Sequence, residues 1–133
     1  LMVNILIVTH NKIGVEILKS AEIIVGKCIP SVKTISIPGN LKSDGLGLYA
    51  DQIKSDIEFL EKGDGVLILT DILGATPSNL VHYFASSHNV KILAGLNLPM
   101  LIRILNYADQ PLELLAKIGI VGANKGITKE IGI

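Results

Sequence analysis

An imidazole and a carboxylate, far apart along this chain, both stand where a buried strand should end. His10 follows the apolar run Val3-Asn4-Ile5-Leu6-Ile7-Val8 and Thr9, and Asp71 follows Gly65-Val66-Leu67-Ile68-Leu69-Thr70. Open α/β sheets bind ligands outside the carboxyl ends of their strands. A neutral imidazole is a competent nucleophile near neutral pH, because its ordinary pKa is about 6.5 and one ring nitrogen keeps a lone pair. A carboxylate that accepts the proton of the other nitrogen selects the tautomer and stabilises the ring as it gains an electrophile. Asp71 is the acidic residue at a strand end placed for this role.

The string after it, Ile72-Leu73-Gly74-Ala75-Thr76-Pro77, reads as a turn into a helix, with Thr76 as an oxygen-bearing N-cap and Pro77 at the first helical position. The first N–H groups of a helix lack intrahelical acceptors and attract anions. Gly74 lets the backbone approach closely, and the Thr76 hydroxyl can meet a phosphoryl oxygen. Imidazole, carboxylate and anion-binding turn together point to phosphoryl transfer to and from His10. Singly, each feature has an ordinary reading: a loop histidine, a turn aspartate, a helix start. The assignment rests on their meeting at one edge of one sheet.

The elements that must position these residues follow from hydrophobic patterning. Residues 3–8, 32–37, 65–70 and 90–94 are short, β-branched, near-continuous apolar runs, the pattern of strands covered on both faces of a parallel sheet. Between them, residues 13–25 place Ile13, Ile17, Leu18, Ala21 and Ile24 at helical spacing, and residues 46–60 do so with Leu46, Tyr49, Ala50, Ile53, Ile57 and Leu60. A third helix should run from Thr76 to about Ser86, and two more over 98–108 and 112–121. The expected fold is one α/β domain over residues 1–133, an open doubly wound sheet of mainly parallel strands. With the common strand order 2-1-3-4, His10 and Asp71 face each other across the switch point. Alternation of Ile127, Ile131 and Ile133 suggests that residues 126–133 form a short antiparallel edge strand, exchanged in a dimer.

Composition narrows the partners. At 133 residues the chain suits a single core. Acidic and basic residues balance at 12 each, which gives no field favouring nucleic acid or an anionic membrane. No apolar run is long enough to span a bilayer and no signal peptide stands at the start, so a cytoplasmic protein is expected, with Met2 read as its natural first residue. The single Cys28 excludes an internal disulfide and reads as structural. His82 and His88 read as structural or solvated, and with His10 they form no metal-ligand spacing, so neither a metal nor another cofactor is expected. The rim segment Gly95-Leu96-Asn97-Leu98-Pro99-Met100 could offer Leu98 and Met100 as an apolar docking surface or could simply cap a helix. Pro38-Gly39-Asn40 completes the rim as a turn.

The chain resembles the enzyme IIA components of the mannose-type family of the phosphoenolpyruvate-dependent sugar phosphotransferase system. Thr9-His10, Thr70-Asp71-Ile72-Leu73-Gly74-Ala75-Thr76-Pro77-Ser78-Asn79 and Gly95-Leu96-Asn97-Leu98-Pro99-Met100 match its three landmark segments in order. The resemblance implies a homodimeric cytoplasmic phosphocarrier. His10 would take a phosphoryl group from phospho-HPr and pass it to a IIB component on another chain, in sugar uptake or in a regulatory phosphorelay. Asp71 would orient the ring, Leu73, Gly74, Ala75 and Thr76 would surround the phosphate, and Asn97 and Met100 would serve the partner side. The departures are Asn11 where the family often has glycine, Leu73 where an aromatic is common, and Ala75 in place of a second glycine, which matters if that residue needs a positive φ.

Two other functions share this architecture. A response-regulator receiver would use Asp71 as phosphoacceptor, but Thr9-His10-Asn11 supplies no carboxylate to hold Mg²⁺. A non-catalytic binding module would use the same cleft for a regulatory partner.

Overall fold

The computed structural model describes residues 1–27, 29–86 and 89–129. In chain order they form β1 (Asn4–His10), α1 (Ile13–Val25), β2 (Val32–Ile37), a 3₁₀ turn (Ser43–Gly45), α2 (Leu46–Leu60), β3 (Val66–Thr70), α3 (Thr76–His82), β4 (Val90–Leu93), α4 (Leu98–Asn106) and α5 (Leu112–Lys125). The strands make one parallel sheet in the order β2-β1-β3-β4, the expected doubly wound arrangement.

Alternation along the strands divides the core between two helical layers. Ile5 and Ile7 of β1 and Leu67 and Leu69 of β3 face α1, α4 and α5, where they meet Ala21, Leu101, Ile104 and Leu115. Leu6, Val8, Val66 and Ile68 face the other way, toward Ile53, Ile57 and Leu60 of α2 and Val81 of α3. All of these side chains are buried. A strand with both faces covered must be apolar at consecutive positions, which is why β1 and β3 read as unbroken hydrophobic runs.

Several boundaries differ from the sequence reading. β1 runs two residues beyond Val8, because Thr9 and His10 continue the ladder to β2 opposite Ser36 and Ile37 after the last β1–β3 pair, Val8 with Thr70. Helix α3 stops at His82, and α5 extends to Lys125. The buried side of α1 is rotated from the expected stripe: Ile13 and Ile24 are exposed, whereas Gly14 and Ala21 are buried, with Ile17, Leu18 and Val25 packed beside them. Gly14 is the reason. It brings the first turn of α1 so near β1 that an added Cβ would stand 2.8 Å from Ile7 Cγ2 and 3.2 Å from Thr9 Oγ1. Residues 126–129 form no strand, and residues 130–133, on which the rest of the expected edge strand falls, lie outside the described residues, as do Cys28 and His88.

Close packing at Gly14 also fixes the turn that follows His10. The Gly14 N–H donates to Thr9 Oγ1 at 2.9 Å, and the Thr9 hydroxyl donates to the His10 carbonyl at 3.2 Å. Gly14→Ala should therefore destabilise the fold by about 1–2 kcal/mol net, since overpacking of a β-branched core residue outweighs the gain in helix propensity. Urea unfolding of the variant measures this, with an unchanged midpoint as the contrary result.

Candidate active site

The sheet's register places the imidazole and the carboxylate together. Val8 and Thr70 are paired neighbours on β1 and β3. One strand continues through His10 while the other turns at Asp71, so the two side chains leave adjacent strands at the same end of the sheet. His10 Nδ1 lies 2.7 Å from Asp71 Oδ2, and the His10 backbone N–H donates to that same oxygen at 3.1 Å. The other oxygen, Oδ1, accepts the Ile72 N–H at 3.0 Å.

Both the ring and its orienting group are thus held. Burial, the largest single influence on Asp71, would by itself raise its pKa. The ring and amide of His10 and the amide of Ile72 together outweigh it and hold the carboxyl below its ordinary value. An ionised carboxylate only accepts hydrogen bonds, so Nδ1 must carry the proton and Nε2 of the neutral ring keeps the lone pair. The His10 side chain remains 31% exposed against 13% for Asp71. A shielded carboxylate behind a half-exposed imidazole leaves the ring accessible to a second reactant.

The segment after β4 supports Asp71 from its backbone. The Gly95 N–H donates to the Asp71 carbonyl at 3.2 Å, and the Leu96 N–H donates to the Thr70 carbonyl at 3.0 Å. Gly95 has φ +84°, a turn that suits glycine. Asn97 then caps α4, its Oδ1 accepting the Met100 N–H at 2.9 Å. The expected docking role of Met100 is corrected here: the side chain is only 3% exposed and belongs to the core beside Leu101 and Ile104. The N-cap turns the first residues of α4 inward, so that Met100 adds apolar area to the core rather than to the surface.

The loop 71–76 has a different character. Ile72 and Leu73 are exposed at 57% and 72%, Gly74 has φ +85°, and nothing lies within 4 Å of the position a Gly74 Cβ would take. Ala75 has φ −85° and ψ 172°, an extended conformation that alanine adopts without strain, so its replacement of glycine imposes no backbone cost. Ala75, not Thr76, occupies the N-cap. Thr76 and Pro77 are the first two residues of α3, and no side chain caps the helix. The exposed Thr76 side chain is consequently free of that duty and lines a groove between α2 and α3.

Two asparagines brace the site and were not singled out as functional in the sequence. Asn79 Nδ2 donates to the Gly74 carbonyl at 3.2 Å, while its N–H donates to the Ala75 carbonyl at 3.0 Å, which ties the loop to the first turns of α3. The available signal was an amide side chain five residues beyond a glycine. Asn11, directly after His10, has φ +46°. Asparagine is among the few non-glycine residues that tolerate this region, so a position matched to a glycine is conformationally satisfied by it.

A family-level comparison matches residues 4–117 to the family described as "PTS system fructose IIA component". The fructose-specific EIIA component of the PTS system of Bacillus subtilis (strain 168) is 26% identical over 109 residues, which cover 81% of this chain and 72% of that protein. The crystal structure of phosphotransferase system component EIIA from Streptococcus agalactiae superposes with a TM-score of 0.82 at 26% identity, covering 96% of this chain and 97% of the other. The mannose/sorbose-specific IIA subunit from Enterococcus faecalis has the same fold, with a TM-score of 0.82 at 21% identity over 100% of this chain and 97% of its own.

The depressed Asp71 pKa has a measurable consequence. Because the carboxyl titrates lower when folded than when unfolded, the unfolded chain binds more protons in acid, and stability rises with pH across that interval. The contribution is complete above the ordinary aspartate pKa and is lost as pH falls through the lower folded value. Asp71→Asn lacks it, so the difference in unfolding free energy between wild type and variant should shrink from about pH 5 downward. Denaturant titrations across that range test this; a difference independent of pH would contradict it.

Proposed function

We propose, from the premise that the chain belongs to the family of PTS fructose IIA components, that His10 is its phosphoryl-carrying residue and that transfer occurs at Nε2. The observation that carries this reading is the 2.7 Å contact between His10 Nδ1 and Asp71 Oδ2, together with the partial exposure of the ring. With Nδ1 committed to the carboxylate, Nε2 is the nitrogen left for a new bond.

The donor is phospho-HPr, a phosphohistidine protein. The Nε2 lone pair attacks phosphorus, the bond from phosphorus to the donor's ring nitrogen breaks, and that electron pair returns to the donor ring. His10 then carries the phosphoryl group and a positive charge shared over the ring, which the anionic Asp71 stabilises through Nδ1–H. Transfer to a IIB component on another chain reverses these steps, with Nε2 as the leaving nitrogen. Asp71 is a positioning and electrostatic group throughout; it forms no bond to phosphorus.

The loop 73–76 receives the phosphoryl oxygens. Gly74 leaves open the space a side chain would fill, Ala75 and Thr76 open α3, and the Thr76 hydroxyl is not spent on capping. The exposed Ile72 and Leu73 beside it supply an apolar border against which a protein partner can exclude water. Asn97, half-buried at the start of α4, keeps the third rim segment in place. The protein works in the cytoplasm as a homodimer over its whole domain, residues 1–133, in sugar uptake or a regulatory relay. Among the described residues no helix is long and apolar enough to cross a membrane, and β4 pairs only with β3, which leaves its outer edge for a partner strand.

Incubation with phosphoenolpyruvate, enzyme I and HPr tests the proposal. The chain should take up one phosphoryl group that is lost in acid and survives base, as a phosphoimidazole does, and His10→Ala should take up none. A base-labile adduct that persists in His10→Ala would place the phosphate on a carboxylate instead. Asp71→Asn should fold yet exchange phosphate about 10²-fold more slowly, because an amide no longer selects the tautomer or offsets the ring's charge. Rapid-quench measurement of the exchange, with a rate equal to wild type, would remove Asp71 from the mechanism.

A further inference from the structure

Two hydroxyls beneath the site are left over by every bond described above. Thr70 and Ser78 are fully buried, and neither Thr70 Oγ1 nor Ser78 Oγ has a hydrogen-bond partner among the described residues. An orphaned buried hydroxyl destabilises a fold, and valine or alanine would avoid that cost, so each calls for an explanation. Their places are related. Thr70 ends β3 and shares the phase of Val66 and Ile68, whose side chains face α2 and α3. Ser78 lies in the first turn of α3, one turn before Val81, which is buried against that same face of the sheet. Both hydroxyls therefore enter the layer between α3 and the carboxyl end of the sheet. His10 continues the phase of Leu6 and Val8 on β1 and belongs to this side as well.

We infer that one buried water molecule bridges Thr70 Oγ1 and Ser78 Oγ, and that this clasp makes the two residues positioning residues for the loop that receives the phosphoryl oxygens. The water site stands on the hydroxyls alone; the positioning role rests on the phosphocarrier reading above. Since the two hydroxyls do not bond each other, a link between them needs a small group with both a donor and an acceptor, and water supplies both. In the chain, residues 70 and 78 stand at the two ends of the exposed loop. Asn79 braces the middle of that loop at the Gly74 carbonyl, and the clasp closes its base. Asp71, which orients the ring, directly follows Thr70, and Thr76 stands two residues before Ser78. A bridge at the base fixes the separation of carboxylate and Thr76 hydroxyl across the phosphoryl position, which leaves no reorganisation for the transfer step.

Thr70→Val removes one hydroxyl at nearly constant shape, and Ser78→Ala removes the other. In urea, each variant should show an unfolding equilibrium constant raised about fivefold, the worth of one ordinary hydrogen bond. The double variant should be no worse, since its second substitution removes a group already orphaned. In the phosphoenolpyruvate, enzyme I and HPr assay both single variants should exchange phosphate about tenfold more slowly at saturating donor with an unchanged KM, whereas Thr70→Ser, which keeps the hydroxyl, should stay within about twofold of wild type. A crystal structure of the wild type should show one ordered water within hydrogen-bond distance of both oxygens. Single variants as stable as wild type, effects that add in the double variant, or density without that water would overturn the clasp. Destabilised variants that exchange at the normal rate or change only in KM, or a Thr70→Ser as slow as Thr70→Val, would overturn the positioning role. A wild-type chain that takes up no phosphate overturns the phosphocarrier reading and the positioning role together, and the unfolding and crystallographic results then decide the water site by themselves.

Discussion

The pairing of Val8 with Thr70 in adjacent parallel strands is the constraint on which the site depends. Parallel neighbours share a direction, so the carboxyl ends of β1 and β3 come out at one edge of the sheet, and whatever residue follows each strand is delivered there. The contact between His10 and Asp71 is a consequence of that register. A shift of the β3 pairing by one residue would invert the faces of Leu67, Ile68 and Leu69, and the two hydrophobic layers forbid it. The core thereby enforces the geometry of a polar pair that lies outside it.

Around that pair the supports come from different elements and do different things. Thr9 and Gly14 fix the start of α1, Gly95 and Leu96 hold the backbone of Thr70 and Asp71, and Asn79 braces the carbonyls of Gly74 and Ala75. None of these residues offers a group to a reacting atom. They remove freedom from the three loops at the sheet edge, so that the imidazole stays oriented while the loop at Ile72 and Leu73 remains exposed. Rigid strand ends combined with an exposed apolar loop suit the phosphocarrier role proposed above, in which one ring nitrogen is presented to each partner.

The departures from the family pattern are resolved by backbone conformation. Ala75 lies in the extended region and needs no glycine, whereas Asn11 does adopt a left-handed turn and is a residue type that tolerates it. Residue type alone could not separate these cases, because the φ of a loop residue is decided by where the chain must go next. Asn11 must turn toward β2, and Ala75 must enter α3.

Much of the architecture was legible in the linear chain because burial writes a simple pattern: near-continuous apolar runs for the central strands β1 and β3, β-branched stretches broken by Lys33, Ser36 and Lys91 for the outer strands β2 and β4, and helical spacing between them. The candidates His10 and Asp71 followed, since a residue type and its place at a strand end are both local facts. What the chain alone did not decide were matters of distance and rotation. The stripe of α1 turned away from Ile13 and Ile24 because Gly14 allows a close approach that hydrophobicity does not register. Met100 went into the core because the Asn97 cap sets the entry angle of α4, and Thr76 lost the capping position to Ala75. Hydrophobic periodicity reports how often a side chain must be buried. Only the packed molecule determines which neighbour it meets, and that difference separates two promising residues in a sequence from a 2.7 Å contact.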